Sequence, residues 1–117
     1  MHLGIDLGAS GVRSCVLDKN RDIIAQSQSA YPNDYASAAD KRHEQSPAQW
    51  WSAVRAALDA LGPDIRMQCR HLAVDGTSGT VLALDMQDKP IGPALMYNDV
   101  RAEEKAQEAR LRGLDRP

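Results

Sequence analysis

A carboxylate, a hydroxyl, a guanidinium and two glycines fall close together near the start of the chain, as Asp6, Ser10, Arg13, Gly8 and Gly11. The apolar residues before Asp6 form a short strand that delivers the carboxylate to its end. Glycine lets a backbone come close to a bulky group. Consecutive backbone N–H groups and the Ser10 hydroxyl can then face an anion. Asp6 can hold a metal ion or a water. Together these residues have the donors and acceptors of a phosphate site with Mg²⁺ beside it. The same run also suits a plain β-hairpin whose turn uses small residues, and these residues alone do not separate the two readings.

A second candidate is Asp75-Gly76-Thr77-Ser78-Gly79-Thr80. It follows an apolar strand, at the kind of strand end where α/β sheets place ligands. The Thr77 and Ser78 hydroxyls both donate and accept, which suits a polyol. Asp75 can accept from a ligand hydroxyl or orient the loop, and a tight turn capped by Asp75 is the simpler alternative. A third candidate is Tyr97-Asn98-Asp99, with Arg101 two residues on. Asn98 offers an amide for hydrogen bonding, whereas Asp99 and Arg101 read as a pair or as a helix cap. The histidines (His2, His43, His71) are scattered and nothing pairs them. Cys15 and Cys69 lie in predicted strands without metal-ligand spacing, as buried, reduced packing residues.

The elements that position these groups follow from periodicity and turns. Residues 2–6, 12–18 and 23–31 read as three antiparallel strands, with Lys19-Asn20-Arg21 as the second turn and Asn20 in its left-handed position. Residues 32–45 read as a surface connection. Ser46, Pro47 and Gln49 form a capping box that starts a helix reaching about Leu61. Trp51, Val54, Leu58 and Leu61 share its apolar face, Trp50 and Ala57 flank them, and Gly62-Pro63 stops the helix. Residues 69–75 form a strand parallel to the first, residues 80–84 and 94–97 two more, and Asp99 caps a last helix ending at Gly113. Glu104, Glu108 and Arg112 form its solvated stripe.

The chain has 117 residues, 43% of them hydrophobic and 26% charged, as in a single globular domain. A net charge of −2 gives no electrostatic case for nucleic acid or a membrane surface. No apolar run approaches a membrane span of about 20 residues. Met1 leads directly into the first strand, so no signal peptide is expected, and the location expected is cytoplasmic.

The run "GIDLGASGVR" resembles the first phosphate motif of the actin/Hsp70/sugar-kinase superfamily. The segments "EQSPAQWW", "DGTSGTVL" and "LMYND" narrow the resemblance to the FGGY carbohydrate kinases. It covers residues 2 to about 112, the opening part of a longer family pattern. It implies an α/β fold, the N-terminal part of an RNase H-like (actin-like ATPase superfamily) domain whose mixed sheet opens with three antiparallel strands. Residues 1–117 would be a single partial domain. The implied activity is ATP-dependent phosphorylation of a ketopentose, with ATP and Mg²⁺ as cofactors and a small sugar as partner. Asp6 would serve the metal and the transferred phosphate, with Gly8, Ser10 and Arg13 beside it. Asp75, Thr77, Ser78, Tyr97 and Asn98 would line the sugar pocket.

"DGTSGTVL" with "LMYND" looks most like the D-ribulose kinase branch. The Met-His pair of xylulose kinases and the Arg-Glu pair of glycerol kinases are both absent near Ser78 and Gly79. Ala9 stands where the motif most often has Thr, and Tyr97 where it has Trp. The general base of the family falls outside this chain, so residues 1–117 alone are expected to be inactive. Alternatives are a xylulose or other polyol kinase, or a non-catalytic sugar-binding or assembly module. An actin/Hsp70-like ATPase fits "EQSPAQWW" and the sugar loop less well. Sheet surface left uncovered in so short a chain would favour self-association.

Overall fold

The computed structural model describes residues 1–32, 35–37 and 41–113. Its elements, in chain order, are β1 (His2–Leu7), β2 (Gly11–Leu17), β3 (Ile23–Ala30), β4 (Tyr35–Ser37), β5 (Arg42–Gln45), α1 (Pro47–Ala60), α2 (Pro63–Gln68), β6 (His71–Gly76), β7 (Ala94–Leu95) and α3 (Glu103–Leu111). The main sheet has the order β3-β2-β1-β6. β1, β2 and β3 form the expected antiparallel meander, and β6 joins β1 in parallel. This is the mixed sheet read from the sequence.

The β2–β3 turn is built by Asp18, whose carboxylate accepts from the Asn20 N–H at 2.7 Å and the Asp22 N–H at 3.0 Å. The left-handed residue is Arg21 (φ 73°), not Asn20 as expected. The bond to Asp18 engages Asn20 early in the turn and leaves the reversal to its neighbour.

Helix α1 starts at Pro47, as expected, but without the capping box. The Ser46 side chain makes no cap bond. Its carbonyl accepts from the Gln49 and Trp50 N–H groups instead. The buried stripe is Ala53, Val54, Ala57 and Leu61, while Trp51 is 64% exposed. The sequence reading gave Trp51 a core position. The helix is instead rotated so that alanines meet the sheet, which brings its axis close to β2 and β3. A step of about 100° per residue then carries Trp51 outward.

Ile5, Val12, Ala53, Val54 and Ala57 form the core, with Leu3, Leu7, Tyr31 and Leu58 packed around it. A polar thread crosses it. The Ser27 hydroxyl donates to the Ala57 carbonyl, so its oxygen accepts from the buried Ser14 hydroxyl at 2.6 Å. The two strands and the helix are thereby tied by groups that satisfy one another.

Other elements depart from the sequence reading. Residues 32–45 contain β4 and β5, which form a second sheet with β7 in the order β4-β5-β7. Residues 80–84 make isolated bridges, Val81 to Leu95 and Leu84 to Pro90, rather than a strand. Gly62 (φ 80°) ends α1, but Pro63 at once begins the short α2, and Cys69 caps that helix rather than lying in a strand. His2 and His71 are adjacent in the β1–β6 register and stack with ring centroids 4.9 Å apart, a pairing that sequence spacing did not show. α3 starts at Glu103 with Ala102 as its N-cap, because Asp99 is engaged elsewhere. It ends at Leu111, two residues before the expected Gly113, which takes the left-handed stop (φ 68°), and Glu108 is bound to Arg112.

α1 covers β1, β2 and β3, whereas β6 is exposed along its length, with Leu72 and Val74 each 61% exposed. The molecule is correspondingly elongated, 55 × 33 × 30 Å.

Ala57 is 0% exposed against β2 and β3. Ala57→Leu inserts volume where the helix axis cannot retreat, and is expected to cost about 1–3 kcal/mol of stability by overpacking. Urea unfolding monitored by circular dichroism measures it.

Candidate functional site

The carboxyl ends of β1 and β6 emerge side by side. Asp6 is in register with Asp75, and Leu7 with Gly76. Beyond the strands the two loops are sewn together, since both the N–H and the hydroxyl of Thr77 donate to the Leu7 carbonyl, at 3.1 and 3.2 Å. Thr77 therefore spends its hydroxyl proton on the scaffold, and its oxygen remains free to accept.

One face of the sheet carries the charged groups. Asp6, Arg13, Gln28 and Asp75 line an open depression of about 770 Å³. Arg13 lies opposite Asp6 across the β1–β2 pair, with Nη1 3.6 Å from Oδ2. Both side chains are largely in solvent, so the pair contributes little to stability, and the Asp6 carboxylate keeps coordination capacity. Mg²⁺ takes one or two carboxylates, several waters and phosphate oxygens. Asp6 with Asp75 as its strand neighbour fits that chemistry. Asp75 also accepts from the Gly76 N–H at 2.8 Å, the loop-orienting role considered for it.

The turn between β1 and β2 closes on itself through Gly8 N–H to the Gly11 carbonyl, 2.9 Å. The Gly8 amide is thus not free for an anion. The Ala9 and Ser10 amides make no hydrogen bond to the described residues, and both residues are exposed. They and the Ser10 hydroxyl are the donors this turn can offer. Gly11 is there because a Cβ would come within 2.6 Å of the Ser29 carbonyl oxygen.

Tyr97 and Asn98 follow β7 and are exposed. Gly79 has φ 72°, and a Cβ on it would lie 3.1 Å from the Tyr97 Cβ. A side chain there would push the hydroxyl-bearing loop and Tyr97 apart, so Gly79 sets their contact. Ser78 is exposed on the same loop. The structure thus groups Asp6, Arg13 and Asp75 around one depression, and Gly8 with Thr77 around a small cavity. Tyr97 lines a separate shallow groove, and Ser10 lines a surface recess with Arg13.

Below Tyr97, Asp99 and Arg101 form the pair read from the sequence. Arg101 Nη2 lies 2.7 Å from Asp99 Oδ2 and 2.6 Å from Glu44 Oε1. Asp99 also accepts from the His43 backbone N–H at 3.0 Å. These bonds hold the Asp99 carboxyl well below the usual carboxylate range, the Arg101 hydrogen bond being the main cause. The same cluster raises Arg101, chiefly through its bond to Asp99 and then through Glu44. The cluster ties the start of the Tyr97 segment to β5.

The sequence reading missed two residues that border the site. Tyr31 has a buried hydroxyl without a partner among the described residues. Burial raises its pKa, and the nearby Asp6 charge adds to the shift. Gln45 is 4% exposed and bonds the β1–β2 turn directly. The one sequence signal for it was its place in "EQSPAQWW".

Residues 1–114 match the model of the FGGY family of carbohydrate kinases, N-terminal domain. The xylulose kinase of Escherichia coli (strain K12) is 34% identical over 116 residues, covering 95% of this chain and 22% of that protein. The gluconokinase of Bacillus subtilis (strain 168) is 27% identical over 107 residues, covering 86% of this chain and 20% of that protein. Among solved structures, a xylulose kinase from Brucella ovis superposes with a TM-score of 0.87 at 28% identity, covering 97% of this chain and 24% of that one. The chain therefore spans about a fifth to a quarter of the length of the proteins it matches.

The depressed Asp99 carboxyl gives a signed pH dependence. A carboxyl with a lower pKa folded than unfolded stabilises above its unfolded value, about 3.9, and loses that contribution as pH falls below it. Asp99→Asn is thus expected to destabilise the fold at pH 7, with the deficit shrinking at pH 3. Urea midpoints of both proteins at the two pH values check this.

Proposed function

The chain belongs to the FGGY family of carbohydrate kinases, as its N-terminal domain, and we propose that it supplies the phosphate turn and the sugar edge of an ATP-dependent kinase acting on a ketopentose. One observation carries the reading. The parallel β1–β6 register brings the Asp6 turn and the Asp75–Thr80 loop out of adjacent strand ends, bound to each other through Thr77 and Leu7. Phosphoryl transfer is mainly positioning and electrostatic stabilisation, and such a pairing would put a phosphate next to a polyol.

In this reading Asp6 holds Mg²⁺, with Asp75 beside it. The bound metal supplies charge neutralisation at the transferred phosphate. The Ala9 and Ser10 amides and the Ser10 hydroxyl donate to phosphate oxygens, and Gly8 keeps the turn narrow. Arg13 adds positive charge at the rim. Thr77 accepts from a sugar hydroxyl, Ser78 accepts from or donates to one, Asn98 orients the sugar, and Tyr97 walls the pocket. No residue described here is placed as a general base for the attacking hydroxyl, so residues 1–117 alone are proposed to be inactive.

D-Ribulose is the substrate read from "DGTSGTVL" and Tyr97. A second reading, D-xylulose, is favoured by the naming of the relatives. No helix among the described residues is long and apolar enough to cross a membrane. Both cysteines are free, which supports a reducing, cytoplasmic setting.

The test is ATP-dependent phosphorylation of a sugar panel by the full-length protein that carries this domain. D-Ribulose is expected to give the highest kcat/KM. D-Xylulose in first place selects the second reading, and no turnover of any ketopentose sinks both. Asp6→Asn is expected to lower kcat on the order of 10²-fold. Asn98→Ala is expected to raise the sugar KM while leaving the nucleotide KM unchanged. Expressed alone, residues 1–117 are expected to self-associate through the exposed β6 face, as a concentration-dependent sedimentation coefficient.

A further inference from the structure

We propose that Gln45 is a positioning residue, a buried latch that holds the turn between β1 and β2 in place relative to α1 and the strand leading to Tyr97. Its Nε2 donates to the Ala9 carbonyl at 2.6 Å, and its Oε1 accepts from the Trp50 indole N–H at 2.8 Å. The two partners fix which way the amide faces, because an indole only donates and a carbonyl only accepts. With 4% of the residue exposed, neither bond can be replaced by solvent without opening the structure. Losing a partner of such a buried group carries its full desolvation cost.

Packing does not wedge the turn. Beneath it lies a cavity of about 140 Å³, bordered by Leu7, Gly8, Tyr31, Trp50, Thr77 and Met96. Ala9 and Ser10 are exposed above it. The other bonds that define the turn are Gly8 N–H to Gly11, internal to it, and Tyr31 N–H to the Ser10 carbonyl at 3.1 Å. Tyr31 ties the turn to the end of β3, and Gln45 supplies its link to α1 and to the β5–β7 pair. Through Trp50 it reaches α1, and through its β5 pairing with Ala94 it reaches β7, whose chain runs on into Tyr97. One carboxamide thereby spaces the turn from the proposed sugar edge.

The latch stands on geometry, and only its catalytic consequence rests on the reading of the turn as a phosphate site. A displacement of about 1 Å can cost about 10²-fold in a reaction that depends on alignment.

The experiment compares Gln45→Met, which keeps length and apolar bulk, and Trp50→Phe, which keeps an aromatic ring but removes the N–H, with the parent protein. Backbone ¹⁵N order parameters are measured on the full chain. Those of Ala9, Ser10 and Gly11 are expected to fall below about 0.6, while α1 and β1 stay near 0.85. In the full-length enzyme kcat is expected to fall tenfold or more, with the sugar KM changed less than about twofold. A merely structural loss would lower order parameters throughout α1 as well. Should Gln45→Met fail to fold, Trp50→Phe supplies the same readout. Unchanged order parameters at Ala9–Gly11 overturn the latch. A loosened turn with unchanged kcat upholds the latch and removes the phosphate reading instead.

Discussion

Parallel pairing between β1 and β6 is the constraint on which the site depends. A parallel neighbour cannot be reached by a tight turn, and its crossover must travel back along the sheet. Here β4, β5, α1 and α2 make that return. The pairing then sets Asp6 beside Asp75 and Leu7 beside Gly76. Thr77 continues the link past the strands by bonding the Leu7 carbonyl. Two segments far apart in the chain thus present their polar groups at one sheet edge, and neither segment could form that edge alone.

The return path supplies more than length. α1 lies on the sheet through Ala53 and Ala57, whose small side chains let the helix come close enough for Ser27 to reach the Ala57 carbonyl. Trp50, in the first turn of α1, bonds Gln45 locally, and Gln45 reaches across to the Ala9 carbonyl. On the other side, β5 pairs with β7, and Arg101 ties Asp99 to Glu44. β5 is therefore a brace between the β1–β2 turn and the Tyr97 segment. Its charged pairs are uneven in weight. Asp99 is almost buried and fully bonded, whereas Asp6 and Arg13 remain in solvent. Asp99 serves the fold, whereas Asp6 stays open to solvent.

Local chemistry explains which elements were legible before folding. The meander was readable because each strand is bounded by a turn with strong backbone preferences, and α1 because Pro47 and Gly62 bracket it. What failed depended on partners elsewhere. β4 and β5 carry polar residues and exist because β7 pairs with β5. Residues 80–84 look like a strand, but most of their length has no described partner strand to lie against. Asp99 also suits a helix cap, yet Arg101 and the His43 amide claim it, with Glu44 holding Arg101 from its other side.

The sequence by itself determined the family, the order of the main sheet and the residue types at the candidate site. Those are written in short motifs, in the period of apolar residues and in turn chemistry, all of which act over a few neighbouring positions. Tertiary structure alone decided the rotation of α1 that turns Trp51 to solvent and the stacking of His2 on His71. It also decided that Gln45 meets Ala9. Each of these depends on how closely two distant segments approach, a distance set by the packing of the whole sheet and helix.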